Sequence, residues 1–248
     1  MKNSLKYLIY LIFIISFIYF INNNINKDLL MSLDFYVIYE YRYVLIKGLF
    51  TTILISFISA LFGTIFGVLL AILLRTKNIF IIILINSFVE LFRNTPLLVQ
   101  LIWIHFALPT ITGISTSAMT SGIITIVLQA SAYFTEIARA GIQAIPKGQF
   151  EASYSLGIPK IIHWKIIILP QALKIIIPPL VNFTISLFKA TAILSILQIS
   201  ELMTVTNRIS NISFKPIELF SGVALIYLVF GLIISKISKE IEKKYIQV

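Results

Sequence analysis

Four charged side chains stand where charge is expensive. Glu90, Arg93, Glu136 and Lys189 lie within or at the edges of long apolar runs, and a charge at the centre of a membrane helix costs at least about 2.5–3.5 kcal/mol. Such residues face one another, a bundle interior or a water-filled cavity. Two kinds of chemistry fit them. Glu90 and Arg93 are three residues apart and share a helix face, so they can tie to each other as a structural pair. In the other reading, the set holds a small zwitterion by its carboxylate and amino groups. Lys189 is then the foremost candidate, because no acid lies near it in sequence. Covalent and metal chemistry find no such foothold. The chain has no cysteine and only two histidines, His105 and His163, far apart and in different contexts. Thiolate nucleophiles, disulfides and a metal centre are therefore not expected. No nucleophile–base pair occurs near the runs, so no catalytic residue is assigned.

The elements that position these charges follow from composition. The 248 residues are 58% hydrophobic and only 12% charged, with a mean hydropathy of +0.98, far from the balance of a soluble domain. Runs 44–74, 79–108, 122–138, 166–199 and 217–237 approach or exceed the ~20 residues that a helix needs to cross hydrocarbon. Lipid forces each segment to satisfy its own backbone hydrogen bonds, so the runs are helices. A further run, 5–21, follows Lys2 and Lys6, ends in Asn22-Asn23-Asn24 and has no small-x-small cleavage site. That pattern predicts a retained signal-anchor helix. The expected fold is all-α, a polytopic membrane helix bundle of about six spans. Its domains would be an anchor and outer linker over 1–43, a membrane domain over 44–240 and a tail over 241–248. Gly63-x-x-x-Gly67 predicts close approach of two spans. Pro170, Pro178 and Pro179 predict a break in run 166–199, and broken helices at membrane depth mark substrate pathways.

A net charge of +10 could suggest nucleic acid. The Lys and Arg residues, however, gather at the ends of the apolar runs, which encodes topology rather than a phosphate-tracking groove. With both termini cytoplasmic, inner segments hold twelve of the 20 basic residues and outer segments five. That bias places the longest polar connector, 139–165, in the cytoplasm.

The connector has its own punctuation. Pro146 suits the first turn of a helix, Gly157 the left-handed position just past its end, and Pro159 blocks continuation. Two or three helical turns are expected between them, with small Ala152 and Ser153 allowing another surface to pack closely. On physics alone an ordinary interfacial helix fits equally well.

The spacing beyond that helix narrows the choice. Glu151-Ala152-Ser153, then Gly157, then Ile167-x-Leu169-Pro170 resembles the EAA loop of binding-protein-dependent ABC importer permeases, departing only at the second alanine, which is Ser153 here. Glu90 to Gln100, reading ELFRNTPLLVQ, and Ala132-Tyr133-x-x-Glu136-Ile137-x-Arg139 resemble blocks of the polar-amino-acid branch, the histidine, glutamine and arginine type. Asn182 to Thr191 resembles a later block, with Ala190 and Ala192 replacing its usual aspartate and serine. The resemblance implies a type I ABC importer transmembrane fold, five family-like spans plus one N-terminal, in a bacterial plasma (inner) membrane. It implies three kinds of protein partner: an ABC ATPase subunit dimer, a second permease copy, identical or related, and a periplasmic amino-acid-binding protein. Gly148, Glu151, Ala152, Ser153 and Gly157 would couple to the ATPase. ATP and Mg would sit on that partner, since this chain has no G-x-x-x-x-G-K-[ST] loop and is expected to carry no cofactor and no enzyme activity. A secondary transporter of small polar solutes is the rival reading, but it would show internal repeats, and none is found.

The topology is open to direct measurement. A single cysteine placed at position 148 of this cysteine-free chain is expected to resist an impermeant thiol reagent in intact cells and to react after permeabilisation. Rapid labelling from outside would overturn the orientation.

Overall fold

The computed structural model describes residues 27–246 and, of the first apolar run, positions 12, 15, 16 and 19. The expected signal-anchor helix therefore falls largely outside the described residues. Among the described residues every regular element is helical. Two short helices, α1 (Lys27–Ser32) and α2 (Tyr36–Glu40), lead into the first long span, α3 (Arg42–Leu73). Next come α4 (Ile79–Asn94) and α5 (Leu97–Ile102). A π-helical turn, Trp103–Ala107, continues α5 into α6 (Leu108–Thr112). The second long span, α7 (Ala118–Gln143), ends at the connector helix α8 (Lys147–Ser155). The chain re-enters through α9 (Lys160–Ile162), a π-helical turn at His163–Ile168, α10 (Leu169–Ala190) and a 3-10 stretch at Thr191–Leu197. A shorter helix, α11 (Leu202–Ser213), precedes the last span, α12 (Pro216–Ile246).

Four helical stretches are long and apolar enough to cross a membrane: Arg42–Leu73, Ala118–Gln143, Lys160–Leu197 and Pro216–Ile237. Taken together as one broken span, Ile79–Asn94 and Leu97–Thr112, bent by 110°, would bring the number to five. One expectation about breaks needs correcting. Run 166–199 is not broken: Pro178 and Pro179 lie inside α10, and Pro170 sits in its first turn. The sharp bend occurs instead at Thr95-Pro96. Thr95 is extended (φ −106, ψ 145), as a residue before proline prefers. Gln100 then holds the bend, its Nε2 donating to the carbonyls of Phe92 (2.9 Å) and Thr95 (3.0 Å) and to Thr95 Oγ1 (2.8 Å). Elsewhere the chain absorbs proline by widening. Both π-helical turns end just before a Leu-Pro pair, Leu108-Pro109 and Leu169-Pro170. Pairing each carbonyl five residues ahead rather than four skips the donor that proline lacks.

The spans pack by their small faces. In α3 the buried positions include Gly48, Thr52, Ser56, Ser59, Gly63, Gly67 and Ala71, while Phe50, Phe57, Leu61 and Phe66 point outward. This inversion of a soluble core is what lipid permits, because large apolar side chains gain nothing there by turning inward. Gly63 lies against Ala130 and Phe134, and Gly67 against Phe134, Ser131 and Thr135, so α3 and α7 run parallel. Ile55, Leu101, Ile126, Ala130, Phe134, Leu187 and Leu194 close the centre around this pair. Inward hydroxyls bond back to their own helix, as Thr125 to the Ser121 carbonyl (2.7 Å) and Thr135 to that of Ser131 (2.7 Å), leaving few polar groups unsatisfied.

Two polar braces fix the end of the bundle at which α3 begins. Glu201 is fully buried and caps α11, accepting from the backbone N–H of Thr204 (2.6 Å) and Met203 (2.9 Å). Thr52 of α3 joins it, accepting from the Leu202 N–H at 3.1 Å. Burial pushes the Glu201 carboxyl above its usual range, against the pull of those hydrogen bonds. Asp34 pairs with Lys215 and donates its N–H to Glu218 at 3.1 Å. The Lys215 hydrogen bond holds the Asp34 carboxyl below its ordinary range.

The α3–α7 contact leaves no room for a methyl group. A Cβ at position 67 would lie 2.6 Å from Phe134 Cβ and 2.9 Å from the Ser131 carbonyl oxygen and the Thr135 nitrogen. Gly67→Ala is expected to destabilise the solubilised protein by roughly 1–3 kcal/mol, read as a lower thermal midpoint. Gly231→Ala, which meets nothing within 4 Å, serves as the control and should leave the midpoint unchanged or slightly raised.

Candidate functional site

Two of the four membrane charges, Arg93 and Glu136, meet near the bend. Glu136 of α7 holds Arg139 one turn further on, 2.7 Å from Oε2 and 2.8 Å from Oε1. It also draws in Arg93 from the end of α4, at 3.6 Å. Glu90 does not pair with Arg93 as their spacing allows; it accepts a hydrogen bond from Asn94 instead. Arg93 reaches α7 from the last turn of α4, and its guanidinium also lies over the Tyr133 ring at 5.5 Å. Tyr133 in turn stacks on Phe183 of α10 at 4.4 Å. The result is a charged and aromatic band joining α4, α7 and α10. Its ionic side chains are about one-third exposed, 35% for Arg93 and 28% for Glu136. The Nε of Arg93 is buried without a partner. Alternating guanidinium and carboxylate beside a flat ring pair can hold a small zwitterion by both of its charges.

Lys189 lies apart from this band. It opens on a groove of 440 Å³ between α10 and α12, beside Tyr227 and Ser235, and meets no carboxylate among the described residues. His105 is a packed histidine, with Nδ1 2.9 Å from Ser121 Oγ.

The connector helix has the bounds that its punctuation predicts. Pro146 precedes it, Leu156 follows it, and Gly157 takes the left-handed conformation at φ +67. The Gly157 N–H bonds the Tyr154 carbonyl and the Ile158 N–H that of Ser153, both at 3.0 Å, which closes the helix end. Ser153 is buried, with Oγ bonded to the Phe150 carbonyl at 2.8 Å. Glu151, Ala152, Gly148 and Gly157 are exposed. Nothing lies within 4 Å of the missing Cβ at Gly148 or Gly157. A short helix with one face anchored and the other bare is built to meet another surface.

Several contributors escape sequence reasoning. Phe183 stands fifty positions from Tyr133, and no local spacing announces that stack. Glu201 carries a weak signal, an acid directly before an apolar run, which is where a helix cap belongs. Glu136 and Arg139, three apart, were open to reading as an i, i+3 pair.

Residues 63–247 match the family described as binding-protein-dependent transport system inner membrane component. The chain belongs to that family. The permease is 41% identical over 208 residues to a putative glutamine transport system permease protein of Rickettsia conorii, covering 84% of this chain and 95% of that one. It is 35% identical over 215 residues to an arginine transport system permease protein of Bacillus subtilis, covering 86% and 98%. Among solved structures it resembles an amino acid ABC transporter crystallised with histidines. The TM-score is 0.82 and the identity 33%, over 86% of this chain and 99% of that one. An inward-facing methionine ABC transporter shares the fold alone, with a TM-score of 0.71 at 19% identity. The permease therefore has the type I importer transmembrane fold and is a membrane-spanning transport subunit.

The ion band gives a measurable coupling. Glu136→Gln strips both guanidinium groups of their counter-charge and should lower the thermal midpoint of the permease. In a double-mutant cycle with Arg93→Gln, the interaction energy should be about 0.5–1 kcal/mol, as expected for a half-exposed pair. A cycle that closes to zero would show that the 3.6 Å approach contributes nothing.

Proposed function

We propose that the permease carries polar amino acids into the cell, driven by ATP hydrolysis on a separate subunit. The glutamine and arginine permeases named above support this cargo class. So does the half-exposed band of Arg93, Glu136 and Arg139 beside the Tyr133–Phe183 stack. Two permease copies would face each other across the pathway, with Glu90, Arg93, Glu136 and Lys189 along it. A binding protein would deliver the amino acid on the outer side. Two ATPase subunits, holding ATP and Mg, would dock from the cytoplasm, where both chain termini also lie. In this reading residues 44–240 form the transport domain, 1–43 an anchor and linker, and 241–248 a tail.

The observation that carries the coupling role is the connector helix Lys147–Ser155, closed by a left-handed Gly157, with Glu151 and Ala152 bare and Ser153 seated against the chain. Nucleotide-driven closure of the ATPase would pull on Gly148, Glu151, Ala152, Ser153 and Gly157 and rock the spans through the re-entrant turn. Valine at 157 would be strained, since a β-branched residue tolerates positive φ poorly. Lysine at 151 would reverse the charge at the contact.

Gly157→Val with Glu151→Lys should leave insertion and membrane level near normal. Amino-acid uptake and binding-protein-stimulated ATP hydrolysis should fall at least about tenfold, the effect of losing ~1.4 kcal/mol of docking energy. Ser115→Lys, in the outer loop, is the control. Normal uptake by the double variant at normal expression would remove the connector from the coupling path.

A further inference from the structure

The root of the connector holds a second polar site that transport chemistry does not use. A cleft of 230 Å³ opens where the end of α3 meets the returning chain, several times the ~30 Å³ share of one water molecule. Arg75, Phe150, Tyr154, Lys160, His163 and Trp164 are among its walls. His163 is only 5% exposed, and neither ring nitrogen has a hydrogen-bond partner. A buried polar group without a partner in a native fold calls for an explanation. Aromatic neighbours fix the imidazole in place, with Phe150 edge-on at 5.3 Å and Tyr154 and Trp164 at 6.5 and 6.4 Å. Arg75 is held too, its guanidinium 5.3 Å over the Trp164 ring. Neither Arg75 nor Lys160 has a carboxylate within ion-pair distance among the described residues.

Two cations, one of them held over Trp164, and an uncommitted imidazole around one cleft make a site for an anion. Its surroundings say which kind. Ile161, Ile162 and Ile166 stand exposed beside it, at 81%, 46% and 67%, and Trp164 is the aromatic type that gathers at membrane interfaces. Basic pockets at the cytoplasmic ends of membrane helices suit lipid phosphates.

We propose that this cleft binds a phosphate group, carried by an anionic phospholipid headgroup or as free phosphate. Arg75 supplies a planar fork of donors, which suits phosphate geometry. Lys160 adds a point charge, and His163 satisfies a ring nitrogen on a phosphate oxygen. Because Arg75 stands just past the end of α3 and α8 contributes Phe150 and Tyr154, an occupied cleft braces the connector against the spans. The proposal goes beyond the transport reading and does not depend on which solute is carried.

The test uses the full permease with its co-purified ATPase subunit in detergent. Thermal midpoints are followed during titration with phosphatidylglycerol, phosphatidylcholine or inorganic phosphate. Phosphatidylglycerol should stabilise the wild type more than phosphatidylcholine does. Its apparent affinity should fall roughly thirty-fold in Arg75→Gln/Lys160→Gln, about a factor of five for each cation removed. His163→Leu should weaken it in the same direction. Lys236→Gln/Lys239→Gln, which removes equal charge from the inner end of α12, should change little. Stabilisation by inorganic phosphate alone, lost in the same double variant, supports the site and identifies free phosphate as the source. Equal titrations for wild type and Arg75→Gln/Lys160→Gln would overturn it, as would an equal loss in the α12 control. Loss of the ATPase subunit from the double variant would also overturn it, by making the cleft a protein contact.

Discussion

The contact in which Gly63 and Gly67 of α3 lie flat against Ala130, Phe134 and the α7 backbone carries the rest of the fold. Lipid offers no hydrophobic reward for burying large side chains, so two spans hold together by approaching closely. Everything functional hangs on α7 once it is seated. Glu136 gathers Arg93 and Arg139, Tyr133 reaches Phe183 of α10, and Ser121 fixes His105. A wider separation of α3 from α7 would move each of these pairs.

The second constraint is the backbone's need for hydrogen-bond partners at membrane depth. The chain meets it in three ways at its prolines. At Thr95-Pro96 it abandons the helix, turns by 110° and repays the exposed carbonyls with the Gln100 amide. At Pro109 and Pro170 it widens into a π-helical turn first. At Pro178 and Pro179 it continues as an α-helix. The ion band sits beside the first of these, since Arg93 occupies the last turn of α4 just before the bend.

Much of this was legible in the residues. Apolar run length fixes the helical class and locates the spans, and the Pro146, Gly157 and Pro159 punctuation fixes the connector helix to within a residue or two of its ends. Gly63 and Gly67 show as a close-packing pair because their spacing is local. What the sequence hides is long-range. Proline as a helix breaker holds at Pro96 and fails at Pro178, since only the surrounding bundle decides whether a span must stay straight. Glu90 and Arg93 look like partners on one face, yet Arg93 turns to a carboxylate 43 positions away on a neighbouring span. His163 reads as an isolated histidine until the fold closes Phe150, Tyr154 and Trp164 around it.

The proline pair has a mechanical consequence. Pro178 and Pro179 fall at the midpoint of the stretch Lys160–Leu197, and neither offers an amide proton. The turn before them therefore cannot close with the full set of α-helical backbone bonds. A helix held by fewer backbone bonds at one level bends there more readily than elsewhere. The most compliant level of the span is then halfway between the connector and the cap at Glu201. A displacement applied at either end would be taken up there, one turn before Phe183, rather than passed on as a rigid tilt.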